Sequence, residues 1–321
     1  MMSAKPAFIA LDWGTSSFRA YLVDVHGAVA DRITSPDGIL AVPNAGFAEV
    51  LRRRLTPWLT AHGRVSVLMS GMIGSRQGLV EVPYGQAPLT LEALIGGMHA
   101  MTIEGIGSVH IVPGVQCHDL AGVPDVMRGE ETQIFGALAT LDIAEGLFVL
   151  PGTHSKWVSV DSGAITGFET YMTGEVFAVL RQHSILGRLM PAAAAVIGPP
   201  GDGFRRGIDM IARHSGGPGG LLHRLFSVRT LGLVGNMPAD QLEDYLSGLL
   251  IGAEVVEASV SDRDVFVIAG AALGECYVLA GRSFGVGCRR IPEDCVVAGL
   301  HAMASAKDLL PQSSVAEADH A

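Results

Sequence analysis

The chain reads as a two-domain α/β protein built by internal duplication. Its 321 residues exceed the usual size of one domain. Strand, loop and helix alternate along it. The same hairpin design also occurs twice, about half the chain apart. The first copy runs Phe8-Ile9-Ala10-Leu11-Asp12-Trp13-Gly14-Thr15-Ser16-Ser17-Phe18-Arg19-Ala20-Tyr21-Leu22-Val23-Asp24. The second runs Leu147-Phe148-Val149-Leu150-Pro151-Gly152-Thr153-His154-Ser155-Lys156-Trp157-Val158-Ser159-Val160-Asp161. Matching Gly14 to Gly152 also matches Thr15 to Thr153 and Ser17 to Ser155. A glycine lets the turn backbone approach a ligand, and turn N–H groups with adjacent hydroxyls suit phosphate. One Gly-Thr turn says little. Two of them, with Asp12 before one and Lys156 after the other, imply a nucleotide held in a cleft between the domains.

Composition narrows the partners. Hydrophobic residues make up 49% and charged residues 17%, enough apolar material for two cores. The formal charge of −10 argues against nucleic acid or an anionic membrane as the main partner. An acidic protein that binds anions must gather its cations locally, and Arg76, Arg128, Lys156 and Arg229 all lie in Gly- or Ser-rich surroundings. Lysine occurs only at positions 5, 156 and 307, which singles out Lys156. Cys117, Cys276, Cys288 and Cys295 have no CxxC spacing, so they read as ordinary reduced residues rather than ligands or a disulfide. No apolar signal core stands at the N-terminus, and the longest apolar run, 265–274, is too short for a bilayer. A cytoplasmic location is the expectation.

Each element has its own warrant. Positions 46–62 show helical spacing, with Val50, Leu51, Leu55, Trp58 and Leu59 on one side. Val65–Met69 is a short buried strand feeding a glycine-punctuated polar loop, 70–78, of the kind that holds ligands at strand C-termini. His110–Val115 reads as a strand. Glu130–Leu141 reads as a helix with Ile134, Phe135, Leu138 and Leu141 on its apolar face. Thr173 is a candidate N-cap for a helix through Leu186. Residues 187–220 are rich in Gly and Pro and read as a loop-heavy insertion, with a mobile flap left open. Pro238 precedes a long amphipathic helix with Leu242, Leu246, Leu249, Leu250, Ala253 and Val256. A strand, Val265–Ala269, then leads to Gly270 and a helix. A last strand and a short helix, 295–306, precede a polar tail. The expected domains are 5–141, 142–310 and the tail 311–321.

Several strings along this order resemble a known family. The hairpin pair resembles the two phosphate motifs of the actin-like ATPase superfamily, which includes the sugar kinases. More narrowly, Leu11-Asp12-Trp13-Gly14-Thr15-Ser16, Met69-Ser70-Gly71-Met72-Ile73-Gly74-Ser75, Met127-Arg128-Gly129-Glu130-Glu131-Thr132-Gln133 and Leu150-Pro151-Gly152-Thr153-His154-Ser155-Lys156-Trp157 are similar to the 2-dehydro-3-deoxygalactonokinase family. So are Met172-Thr173-Gly174-Glu175 and Leu246-Ser247-Gly248-Leu249-Leu250-Ile251-Gly252-Ala253-Glu254. The resemblance implies two ribonuclease-H-like domains with an inter-domain cleft. It also implies phosphorylation by ATP, with Mg²⁺, of the C6 hydroxyl of 2-dehydro-3-deoxy-D-galactonate in galactonate catabolism. A kinase for another sugar or sugar acid, or a non-catalytic sensor on the same fold, are the rival readings. The expected partners are ATP and the sugar acid, and a homodimer is left open. One departure stands out: the superfamily's second motif usually has an aspartate ahead of its glycine, and here Leu150-Pro151 takes that place. Asp12 would then carry more of the metal binding.

Under this resemblance, roles fall on particular residues. Asp12 would hold Mg²⁺, or merely cap its turn. Gly14, Thr15 and Ser16 would contact phosphate, with Gly152, Thr153, His154, Ser155 and Lys156 forming the opposite half. His154 reads equally well as a structural histidine, and Lys156 as a surface ion pair. The base stays open among Asp125, Glu130 and Glu131, since acidic residues at a helix start also serve its dipole. Ser75, Arg76 and Gln77, with Arg229 as a second candidate, would bind the sugar acid, whose carboxylate suits a guanidinium fork. Gly270 and Gly274 would let the adenosine lie against a strand–helix turn, although packing alone also explains them.

Overall fold

The computed structural model describes residues 5–43, 46–192, 199–213, 220–258 and 264–311. Two compact units divide it, one of residues 1–143 and 294–321 and one of 144–293.

The first unit opens with β1 (Pro6–Trp13), β2 (Phe18–Asp24) and β3 (Val29–Ser35), then α1 (Phe47–His62) and β4 (Ser66–Ser70). Short strands β5 (Gly85–Gln86) and β6 (Leu89–Thr90) flank a turn, followed by α2 (Leu91–Gly96), β7 (His99–Ile103) and β8 (Gly107–Ile111). The segment ends with β9 (Val115–His118), β10 (Pro124–Met127) and α3 (Glu130–Leu141). The main sheet has the order β3-β2-β1-β4-β8-β7. β1 runs antiparallel to β2 and parallel to β4, and β4 runs parallel to β8. Every residue of β1 is buried, as a central strand covered on both faces requires. Val50, Leu51, Leu55 and Trp58 of α1 pack with Ile9, Leu11 and Trp13 in one core. The expected strand His110–Val115 is two elements. β8 stops at Ile111 and β9 begins at Val115 in a separate small sheet, β10-β9-β5. Gly114 lies within that break, packed so closely that a Cβ there would strike the carbonyl of Met127.

The second unit repeats the topology. It contains β11 (Gly146–Leu150), β12 (Ser155–Asp161), β13 (Ala164–Tyr171), α4 (Thr173–His183), α5 (Asp202–Ala212), α6 (Leu221–Leu233) and α7 (Leu242–Glu257). β14 (Val265–Ile268), α8 (Ala271–Ser283) and β15 (Cys288–Ile291) complete it. Its strands lie side by side as β13-β12-β11-β14-β15. The hairpins are antiparallel and the β11–β14 and β14–β15 pairs parallel, the same pattern as β3-β2-β1-β4-β8. α4 starts at Thr173 with Met172 as its cap and stops at His183, so Thr173 is not the cap residue. The expected loop-heavy stretch 187–220 contains α5, which buries Phe204, Ile208 and Ile211. α5 fits closely on α7 because Gly207 and Gly248 leave no room for side chains between the two backbones. Residues 193–198 and 214–219 of that stretch lie outside the described residues, as does the tail from 312.

The last described helix, α9 (Cys295–Ala306), packs on α3 in the first unit, not in the second domain where the expected boundary placed it. The reason is a close helix crossing. A Cβ on Gly136 of α3 would strike the carbonyl of Cys295, and one on Gly299 would strike the carbonyl of Thr132. Overpacking of this kind costs about 1–3 kcal/mol. Gly299→Ala should therefore lower the thermal unfolding midpoint by several degrees, and an unchanged midpoint would show that the crossing gives way freely.

Candidate active site

In the first unit the parallel pairing of β1 with β4 ends both strands at one edge, with Asp12 opposite Ser70. Ligands on such sheets gather beyond the strand C-termini. The Gly14–Ser17 turn leaves that edge next to the loop that begins at Gly71. The turn is closed by Gly14 N–H to the Ser17 carbonyl at 2.9 Å. It is braced from behind by Ile39 and Leu40 N–H groups on the Gly14 and Thr15 carbonyls at 3.1 and 3.2 Å. Gly38 has no space for a Cβ against the Ser16 backbone, so the brace lies flat on the turn. Thr15 and Ser16 remain exposed at the tip.

Asp12 is 9% exposed and its Oδ2 lies 3.0 Å from Nη2 of Arg19, its cross-strand partner. Beside it, Gly71 sits at φ +91°, where a Cβ would meet the Trp13 carbonyl at 2.8 Å and Asp12 Oδ1 at 3.4 Å. Gly129, at φ +109°, comes so near that its Cβ would lie 3.2 Å from the Gly71 Cα. Those two glycines bring the start of α3, with Glu130 and Glu131, up to Asp12. Ser70 is wholly buried and its Oγ has no hydrogen-bond partner. Sequence reasoning did not select Ser70, although it lies in the quoted Met69-Ser70-Gly71 string.

Of the three candidate bases, Glu131 stands apart by its burial. Glu131 is wholly buried, accepting from Gly129 N–H at 2.7 Å and from the Thr132 hydroxyl at 3.1 Å. Burial, reinforced by the charge of Glu130, pushes its carboxyl up to about 8. Glu130 is half-buried and its Oε2 accepts the Arg128 N–H at 2.9 Å. Asp125 lies on β10 in the small sheet, its Oδ1 on the Val126 N–H at 2.7 Å. Of the sugar-acid candidates, Ser75 is turned inward, donating to the Met72 carbonyl at 2.7 Å, while Arg76 and Gln77 are exposed.

In the second unit the hairpin tip Gly152-Thr153-His154 is exposed at the end of β11. The start of α4 supports it. Glu175 N–H donates to the Thr153 carbonyl at 2.9 Å, and Glu175 Oε2 meets His154 Nε2 at 2.6 Å. Gly174 leaves no room for a Cβ against Gly152. Ser155 and Lys156 point elsewhere. The wholly buried Ser155 hydroxyl donates to Glu254 Oε1 at 2.6 Å, which ties the hairpin to α7. Lys156 is 6% exposed with Nζ on the Thr170 hydroxyl at 2.6 Å, which removes the surface ion-pair reading. Gly270 caps α8 and its N–H donates to Glu293 at 3.0 Å. Gly274 is a packing position, since a Cβ would meet the Arg290 side chain at 2.5 Å. Arg229 lies on α6, a helix packed on α7, and no described contact joins it to the hairpin.

Two α/β units of one repeated strand order, each turning a Gly-Thr hairpin beyond its central strand, define a duplicated two-unit α/β protein. A family model described as 2-keto-3-deoxy-galactonokinase matches residues 12–303, and the chain belongs to that family. It is 35% identical to the probable 2-dehydro-3-deoxygalactonokinase of Rhizobium meliloti (strain 1021), over 95% of this chain and 99% of that one. It is 33% identical to the 2-dehydro-3-deoxygalactonokinase of Escherichia coli (strain K12), over 93% and 98% of the two chains. A crystal structure from Sinorhizobium meliloti, assigned as a protein of the same name, superposes with a TM-score of 0.83 at 34% identity. That match covers 93% of this chain and 98% of the other.

A buried carboxyl raised in the fold stabilises the protein fully below its unfolded value near 4.5, and this contribution is lost as pH rises through about 8. Glu131→Gln, neutral throughout, should thus flatten the fall in unfolding midpoint between pH 5 and about 8. A variant with the wild-type slope would mean that Glu131 is ionised in the fold.

Proposed function

We propose that the protein transfers the γ-phosphoryl group of ATP to O6 of 2-dehydro-3-deoxy-D-galactonate. The observation that supports this best is the approach of Asp12, the Thr15–Ser16 tip and Glu130 to one sheet edge, in a chain of this family. The reaction asks a protein chiefly for positioning and charge stabilisation. Thr15 and Ser16 are suited to the phosphates, as is the exposed Gly152–His154 tip, with Lys156 adding positive charge beneath it. Asp12 would hold Mg²⁺. Among the described residues no group of three or more His, Cys, Asp or Glu side chains could ligate a metal. A single carboxylate, shared with Arg19 and set beside the unpartnered Ser70 hydroxyl, suits an ion that keeps most of its water and takes phosphate oxygens. When bound, the ion neutralises charge building on the transferring group.

Glu130 is the base in this reading. Its carboxylate is half-exposed at the start of α3, next to the Gly129–Gly71 contact, whereas Glu131 is sealed in and Asp125 lies on the small sheet. Glu130 needs to take the O6 proton only late, because the transition state is loose.

Asp12→Asn should keep the fold and lose most sugar-acid-dependent ADP release, at least about 10²-fold in kcat, since several kcal/mol of metal anchoring disappear. A variant retaining more than about a tenth of the wild-type rate would remove Asp12 from this role. Chelation of divalent ions should stop turnover and added Mg²⁺ restore it. Turnover in chelator would exclude the metal from the reading.

A further inference from the structure

Arg128 is left unexplained by phosphoryl transfer. It follows β10 and precedes the Gly129 turn into α3. The residue is 8% exposed, with Nη2 donating to the Val82 carbonyl at 2.7 Å. Both Nε and Nη1 are buried without a hydrogen-bond partner. The guanidinium lies 4.4 Å from the centroid of the Tyr84 ring, a cation–π contact that fixes its plane. Two glycines make room for the stack. A Cβ on Gly74 would come within 2.9 Å of Nη1, and one on Gly114 within 2.7 Å of the Tyr84 ring. Glu130, the acid two residues on, directs its Oε2 at the backbone N–H of Arg128 instead of at the guanidinium.

A cation withdrawn from water with two nitrogens unused is costly unless an anion completes it. The reaction proposed above has an anionic acceptor, and a guanidinium fork fits a carboxylate in two parallel hydrogen bonds. Arg76, the sequence's first choice for this task, is exposed on the loop after β4, where water screens its charge.

We propose that Arg128 binds the C1 carboxylate of the sugar acid and sets the preference of the site for acids over neutral sugars. This rests on the kinase reading. Because both free nitrogens are closed to water, the Met72–Gly74 turn packed against Nη1 must give way as the carboxylate enters. Binding of the acid is thereby tied to the position of the loop that carries Ser75–Gln77. The adjoining peptide N–H of Arg128 meanwhile holds Glu130, so carboxylate recognition and the base lie on one short segment.

The test compares 2-dehydro-3-deoxy-D-galactonate with its uncharged C1 amide in an ADP-release assay. Wild type should prefer the acid strongly. Arg128→Met, which keeps the length needed to lie on Tyr84, should lose about 10²-fold in kcat/KM for the acid, and the acid-to-amide ratio should collapse towards one. The loss should fall on the KM of the sugar acid and not on that of ATP. Should the Met variant fail to fold in a thermal melt, Arg128→Lys keeps the charge without the fork and should lose about tenfold in the same ratio. Equal losses for acid and amide would reduce Arg128 to a loop brace and overturn the assignment. So would collapse of the ratio in Arg76→Met with the Arg128 variants still selective. A wild type without acid-dependent ADP release would instead overturn the kinase reading, and this assignment with it.

Discussion

The backbone just after β4 lies so close to two neighbours that only glycine fits, and the first unit's site depends on that closeness. Gly71 touches the Trp13 carbonyl on one side and Gly129 on the other. Both glycines have positive φ, so a side chain would bring backbone strain as well as a clash. Because β1 and β4 are parallel, Asp12 and Ser70 reach the edge together, and the Gly71–Gly129 contact then brings up the start of α3. Asp12 and the Gly14–Ser17 turn come from one stretch of sequence, Ser70 from a second and Glu130 from a third, and one backbone contact brings these stretches together. The same approach seals Glu131, and that burial raises its carboxyl.

The second unit solves a similar positioning problem with a buried carboxylate. Glu254 of α7 accepts from Ser155, Trp157 and Tyr277 at 2.6, 2.7 and 2.7 Å. Three donors at one carboxylate compensate its burial and join the hairpin to α7 and α8. Burial and the Glu254 charge push the Tyr277 hydroxyl well up, so it stays a donor. The hairpin tip is left free to be shaped by α4, through Glu175 on Thr153 and His154. Division of labour within one short motif follows: Ser155 points inward and fixes the turn, while Gly152–His154 face solvent.

Much of this was legible in the sequence because the evidence was local or periodic. The hairpins, α1, α3, α7 and β14 follow from hydrophobic spacing and turn residues, and the duplication from matching two strings. Non-local consequences were not legible. Placing α9 on α3 depends on Gly136 and Gly299 meeting across a long separation, and no spacing rule announces that. α5 was hidden by the Gly- and Pro-rich stretches around it, although Phe204, Ile208 and Ile211 have helical spacing. Ser155 looked like a ligand contact because its partner, Glu254, lies far along the chain. Arg128 was noted only as one cation in a glycine-rich setting. Its burial on Tyr84 depends on three segments meeting, and exposed Arg76 drew the attention.

Among Asp125, Glu130 and Glu131, the account assigns proton transfer to Glu130 because Glu131 is sealed in and because Glu130 follows Gly129, which lies against Gly71. Steady-state kinetics of Glu130→Gln beside Asp125→Asn test that most directly, since each change removes basicity and little else. The account predicts that Glu130→Gln loses about 10²-fold or more in kcat with a modest change in either KM, while Asp125→Asn turns over near the wild-type rate. A large loss in Asp125→Asn with Glu130→Gln unimpaired would contradict it.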